Sequence, residues 1–275
     1  MADKVEKPLV SVVVTCYNQR KWLAEAVQSV RESTYSPIEI LVVDDGSYDE
    51  ETKVELREIE ESEIRVIHQP NQGVCHARNN GIAAANGEFV MCLDGDDKLP
   101  PRYIEKAMDV FAQHPDVDLV GSMFKMIDAD GSFLPERMNI PGGAEGVELN
   151  PPAGYIGDLL MAINFLQHTY IYRKSLWLGG NRYSAILNRL TGEDYDFLVK
   201  LHAKGHRLYY VDEPSCYYRQ HGISRNNHNF RRYLSKFLII FMSFRWYIRH
   251  PRFILANLWW CRFRSLVADI PAILG

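Results

Sequence analysis

Several large classes of protein are excluded by what this chain lacks. Its five cysteines, Cys16, Cys75, Cys92, Cys216 and Cys261, are scattered and form no CxxC pair. That argues against a structural zinc site or a disulfide framework and fits a reducing compartment. No apolar run approaches the roughly 20 residues that span a bilayer; the longest, such as "FLIIFMSF", reach about eight. The opening "MADKVEKPLV" has no apolar core, so no signal peptide is expected. There is no low-complexity tract and no internal repeat. Acid is nearly missing from the C-terminal stretch: residues 214–275 hold ten Lys+Arg and a single acid, Asp269. Residues 1–213 hold 21 Lys+Arg against 34 Asp+Glu, so the net charge of −4 hides a body at −13 and a tail at +9. Such a split points to different partners for body and tail. What remains is the composition of a globular protein, 47% hydrophobic and 24% charged over 275 residues. That is enough for one large domain, or one domain with an appendage.

The first half alternates strand and helix signals. "LVSVVVTCY" (9–17) reads as a buried strand, followed by a helix with Trp22, Leu23, Ala26, Val27 and Val30 on one face. "IEILVVDDGS" (38–47) is a second strand, after which Ser47 or Asp49 can cap an acidic helix. "IRVIHQ" (64–69) is a third strand, and 73–87 a helix closed by Gly87. "EFVMCL" (88–93) is a fourth strand, 100–114 a helix with proline in its first turn, and 117–127 a fifth strand. Continuous apolar runs suit parallel strands covered on both faces, and the alternation implies right-handed βαβ units. Residues 128–165 are rich in Gly and Pro. Strand-like "HTYIYR", "RLYYVD" and "SCYYRQ" follow, with a helix between Gly192 and Gly205 whose apolar stripe is Phe197, Leu198 and Leu201.

Three of the early strands run into polar clusters, "TCYNQ", "DDGSYD" and "DGDD". In open α/β sheets ligands bind beyond the carboxyl ends of the strands, so these clusters should meet at one edge. The last of them packs Asp94, Asp96 and Asp97 together, where like charges repel unless a cation relieves them.

The stretches "VSVVVTCYN", "ILVVDDGSYDE", "NQGVCHARNNGI", "GEFVMCLDGDD" and "GEDYDF", in that order, resemble the inverting family 2 glycosyltransferases of the GT-A fold. The resemblance covers about residues 8–225. It implies an α/β fold with a mostly parallel central sheet flanked by helices; residues 226–275 lie outside it and read separately as C-terminal amphipathic helices. Residues 1–225 would be the catalytic domain, its nucleotide-sugar half about 8–127 and its acceptor half about 128–225, with 226–275 as the tail. The implied donor is a nucleotide sugar, UDP by default, and the implied cofactor is Mg²⁺ or Mn²⁺, hard cations that carboxylates hold. Asp97 is the expected direct ligand, with Asp96 on donor ribose or metal-bound water and Asp94 structural; the plainer alternative is a capped turn. Thr15, Tyr17 and Asn18 would line the nucleotide pocket. Asp44 or Asp45, with Asp45 preferred, would accept a hydrogen bond from the base; one of the two is also a natural helix cap. Arg78 would meet base or phosphate, or else be solvated on its helix. Asp194 is the expected general base, with Glu193 orienting it or holding an acceptor hydroxyl. The plainer reading of this pair is two acids at a helix start, favoured by the dipole. His221 would ligate metal or touch the diphosphate, whose charge Arg219 and Arg225 would neutralise.

The tail interleaves basic and aromatic residues from Phe230, with Pro251 separating two helical stretches. That pattern suits helices lying in a membrane interface, or a seam packed on the domain or on a second copy in a homo-oligomer. Together these readings describe a cytoplasmic enzyme, peripheral on the cytoplasmic face of a membrane, with a saccharide or lipid-linked saccharide acceptor and no nucleic-acid partner. Two rivals share the fold. One is an inactive binding or scaffold module, against which the intact "GDD" and "ED" pairs count. The other is a sugar nucleotidyltransferase, which would be expected to carry a Gly-rich phosphate loop that "TCYNQRKW" lacks.

Overall fold

The computed structural model describes residues 6–19, 22–134, 153–156, 168–188 and 192–221. The tail from residue 226, with Arg225 and most of the Gly/Pro-rich region, lies outside the described residues.

Strand β1 (Val10–Cys16) is wholly buried and runs parallel to β2 (Ile38–Asp44) on one side and β4 (Phe89–Asp94) on the other, with β3 (Arg65–His68) beyond β2. Its residues alternate between two cores. Val12 and Val14 face α1 (Trp22–Arg31), α2 (Glu50–Glu61) and α4 (Tyr103–Gln113), while Val13 faces the opposite side, under α3 (Val74–Ala84). This two-sided cover is why the sequence is apolar without a period of two. The five residues expected on one face of α1 are all buried, and Asp49, one of the two expected caps, accepts the Thr52 N–H at 2.9 Å to start α2.

The second half departs from the expected run of strands. Residues 117–127 do not make one strand. Leu119–Gly121 form β5, and the chain then leaves the sheet so that Phe124–Ile127 form β6, paired in a small second sheet with β10 (Cys216–Arg219). Hydrogen bonds made by Ser122 and Ser215 hold the departure: Ser122 Oγ donates to the Val211 carbonyl, and Ser215 Oγ to the carbonyls of Ser122 and Met123. Strand β8 (Ile171–Arg173) inserts antiparallel between β4 and β5, and β9 (Leu208–Tyr210) and β7 (Gly154–Tyr155) complete the order β3-β2-β1-β4-β8-β5-β9-β7. Helices α5 (Lys174–Leu178) and α6 (Glu193–Ala203) follow β8, α6 burying Phe197, Leu198 and Leu201 as its spacing predicts. The helix expected over 73–87 stops at Ala84, ahead of Gly87. Among the described residues no helix is long and apolar enough to cross a membrane.

Helix α3 can lie on β1 and β2 because Gly81 has no side chain. A Cβ there would come within 2.2 Å of Val13 Cγ1 and 2.9 Å of Val43 Cγ2, both fixed in the core. Gly81→Ala should therefore destabilise the protein by about 1–3 kcal/mol through overpacking, only partly offset by the ~1 kcal/mol that alanine gains in helix propensity. Urea unfolding with an unchanged m-value checks this; a midpoint at or above the parental one would mean that α3 stands off the sheet.

Candidate active site

The carboxyl ends of β2, β1 and β4 lie side by side, as the polar clusters require. Asp44 and Asp45 are both buried. Asp44 accepts the Ser47 N–H at 2.9 Å and contacts His68 Nδ1 at 3.0 Å, and His68 reaches on to Glu60. Asp45 receives the Gln72 and Gly73 N–H groups and Gln69 Nε2, all within 2.8 Å, and so shapes the turn that enters α3. Asn18 stands in the left-handed region (φ 53°), and its Oδ1 accepts the N–H groups of Tyr48 and Asp49. That clasp sets Tyr17 and Tyr48 edge to face at 6.1 Å, both exposed at the rim.

At the end of β4, Asp94 Oδ1 accepts from Thr15 Oγ1 at 3.0 Å and from Arg78 Nη2 at 2.9 Å. Partial burial would raise its pKa, but Arg78 and His168 outweigh that and hold the carboxyl well below the usual range. Asp97 is 1% exposed and accepts the Arg219 N–H at 2.8 Å and the Cys216 thiol at 3.4 Å. Burial, then the charges of Asp96 and Asp94, push its pKa well up. His168 lies 3.5 Å from Asp94 and 3.8 Å from Asp97, and its buried Nε2 has no hydrogen-bond partner. These three offer ligand atoms within 4.8 Å of one another. Asp96 keeps a side-chain exposure of 23% and meets His221 Nε2 at 2.8 Å; His221 packs on Trp22 at 4.3 Å. Carboxylate oxygens beside an imidazole nitrogen make a donor set that suits a divalent cation.

The acid pair Glu193–Asp194 opens α6 behind Gly192, whose φ of 96° belongs to the glycine-favoured region. Glu193 Oε1 accepts from Arg78 Nη1 at 3.1 Å. Asp194 accepts the Tyr195 N–H at 2.8 Å, and burial, then the neighbouring Glu193, push its pKa from 3.8 up to about 6.

Residues 11–166 match the family described as "Glycosyl transferase family 2". The chain belongs to that family. It is 25% identical over 227 residues to an uncharacterized glycosyltransferase of Methanocaldococcus jannaschii, covering 80% of this chain and 73% of that protein. It is 40% identical over 125 residues to one from Nostoc, covering 45% of this chain and 38% of the other. Among solved structures, S. aureus TarS 1–349 in complex with UDP-GlcNAc shares the fold with a TM-score of 0.61 at 21% identity, over 78% of this chain and 59% of that one.

For this family 2 glycosyltransferase, the structure brings Thr15, Asp44, Asp45, Asp96, Asp97, Glu193, Asp194 and His221 to one edge, and corrects two expected contacts. Arg78 is neither solvated nor open to phosphate, because it is 1% exposed between Asp94 and Glu193. Arg219 is likewise buried. Its Nε holds the Asp96 carbonyl, Nη1 the Ala129 carbonyl and Nη2 Glu25, so it fastens the acidic loop from beneath rather than facing a diphosphate. His168 and Glu25 escaped the sequence reading, since neither sits in a recognisable motif and their partners are distant in the chain.

Because the folded chain binds the Asp194 proton more tightly than the unfolded chain, this group's contribution to stability is complete below pH 3.8 and is lost as pH rises through about 6. Above that, ionised Asp194 opposes folding. Asp194→Asn should raise stability at neutral pH by about 1–3 kcal/mol, with the gain fading towards pH 4. Urea titrations across pH measure this, and an equal gain at both ends would refute the titration.

Proposed function

We propose that the protein is an inverting transferase that moves a sugar from a UDP-sugar to a hydroxyl of a saccharide or lipid-linked saccharide, with Mg²⁺ or Mn²⁺ bound on the donor side. The observation that carries the reading is the pairing of two acidic groups across one sheet edge, the "DGDD" loop on β4 and Glu193–Asp194 on α6, joined by Arg78. The fold shared with a protein solved with UDP-GlcNAc supports the donor class.

Asp96 and His221 are the residues that would hold the ion. Resemblance put Asp97 first, but Asp97 is almost wholly enclosed and already accepts two hydrogen bonds. The inner set of Asp94, Asp97 and His168 already has the buried charge of Arg78 beside it. When bound, the ion neutralises charge on the departing diphosphate. Tyr17 and Asp45 line the base end of the donor pocket, and Asn18 holds the loop that shapes it. The acceptor hydroxyl attacks the anomeric carbon from the face opposite the diphosphate. As the new C–O bond forms, the bond to the diphosphate breaks and the nucleoside diphosphate leaves with the electron pair. The hydroxyl proton passes to Asp194, whose raised pKa makes it a stronger base than an ordinary aspartate while leaving it mostly ionised near neutrality. Residues 226–275 attach the domain to the cytoplasmic face of a membrane through their basic and aromatic side chains.

Asp194→Asn should bind UDP normally and lose transfer by roughly 10²–10⁴-fold in single-turnover assays. A parental rate would remove Asp194 as the base. Asp96→Asn and His221→Ala should each weaken Mn²⁺-dependent UDP binding by calorimetry. If His168→Ala does so instead while those two do not, the ion belongs to the inner set.

A further inference from the structure

Arg78 is among the largest fully buried side chains of the described residues, and a lone buried guanidinium is costly unless paired. Its fork is divided. Nη2 binds Asp94, at the end of a donor-side strand, and Nη1 binds Glu193, at the start of the acceptor-side helix. The ring of Tyr183 lies beneath it, 5.4 Å from Cζ. Burial would favour a neutral guanidine, but Asp94 and Glu193 outweigh this and keep it charged.

The helix carrying it is itself locked to the other half. The neighbouring Asn79 accepts from Trp177 Nε1 and the Tyr183 N–H and donates to the Tyr183 carbonyl. Asn188 Oδ1 accepts the Cys75 N–H at the start of α3, and its Nδ2 returns a bond to the Gln72 carbonyl. Arg78 is therefore held before any ligand arrives, which is what a preorganised electrostatic element requires.

We propose that Arg78 is a positioning residue that selects the base: by binding Glu193 and Asp94 together, it ties down one acid of the pair and leaves the other, Asp194, to take the acceptor proton. This rests on the reading of Asp194 as base. Among the described residues, three groups face Asp194: Glu193 from its own helix, Arg78 from α3, and Tyr170 ahead of β8, whose hydroxyl reaches the Asp194 carbonyl at 3.4 Å. Burial raises its proton affinity most and Glu193 raises it further, while the Tyr195 N–H and then Arg78 lower it. On top of burial, the position of Asp194's titration is thus set by two opposed charges that also bind each other.

The test is the titration of the Asp194 carboxyl by ¹³C NMR, assigned by its loss in Asp194→Asn, together with the acid limb of kcat/KM for turnover of UDP-sugars. In Arg78→Gln the midpoint should rise by about one unit, lowering kcat/KM roughly tenfold on the acid side of the limb. Glu193→Gln should move both readouts the opposite way, the double variant should return towards the parental values, and Arg78→Lys, which restores the charge, should stay near them. A residue that merely supports the fold would lower the melting temperature without this ordering. An unmoved midpoint in folded Arg78→Gln overturns the proposal. If that variant does not fold, Glu193→Gln decides: no downward shift overturns it equally. Failure of the functional reading is separate, since it would appear as normal transfer by Asp194→Asn whatever the midpoints do.

Discussion

Carboxylates accumulate at one edge of this sheet because β2, β1 and β4 end there side by side, and their mutual repulsion must be met inside the protein before any ligand is present. Two arginines meet it. Among the described residues Arg78 and Arg219 are the two largest fully enclosed side chains; Arg78 binds Asp94 and Glu193, and Arg219 binds the Asp96 carbonyl and Glu25. Taking a guanidinium out of water is tolerable only with such pairing. The acids and the arginines therefore require one another, and the cleft between them is shaped by that requirement as much as by apolar packing.

The early strands and helices were legible because their signals are local. A run such as "SVVVT" names a doubly covered strand, and an acid three residues before Thr52 names a cap. The insertion of β8 between β4 and β5 was not legible, since antiparallel pairing at Phe89 and Val90 with Arg173 and Tyr172 leaves no mark on either segment alone. The split of 117–127 turned on serine hydroxyls whose partners lie some ninety residues away. In the site, the residue types were visible and their orientations were not. Arg78 looks like any arginine on an amphipathic helix until Glu193 is brought to it. His168 has no motif at all, because what makes it notable is its place between Asp94 and Asp97.

The same region shows why a stable fold and a usable site pull in different directions. A carboxylate placed at a helix start and screened from water is a poor contributor to stability at neutral pH, and it is also a proton acceptor of suitable strength. Its cost is carried by the surrounding packing of Tyr170, Tyr183 and Phe197, whose rings stack within 4.8–5.7 Å.

The cap that Asn188 provides for α3 has a consequence for how the chain is made. Synthesis runs from the N-terminus, so β1 to β4 and α3 leave the ribosome before Asn188 and Glu193 exist. The Asn188 acceptor of the Cys75 N–H and the Glu193 partner of Arg78 are thus made after the helix they serve. Two of the contacts that fix α3 therefore span more than a hundred residues of chain, and closing them carries the loop-closure entropy of long-range pairing.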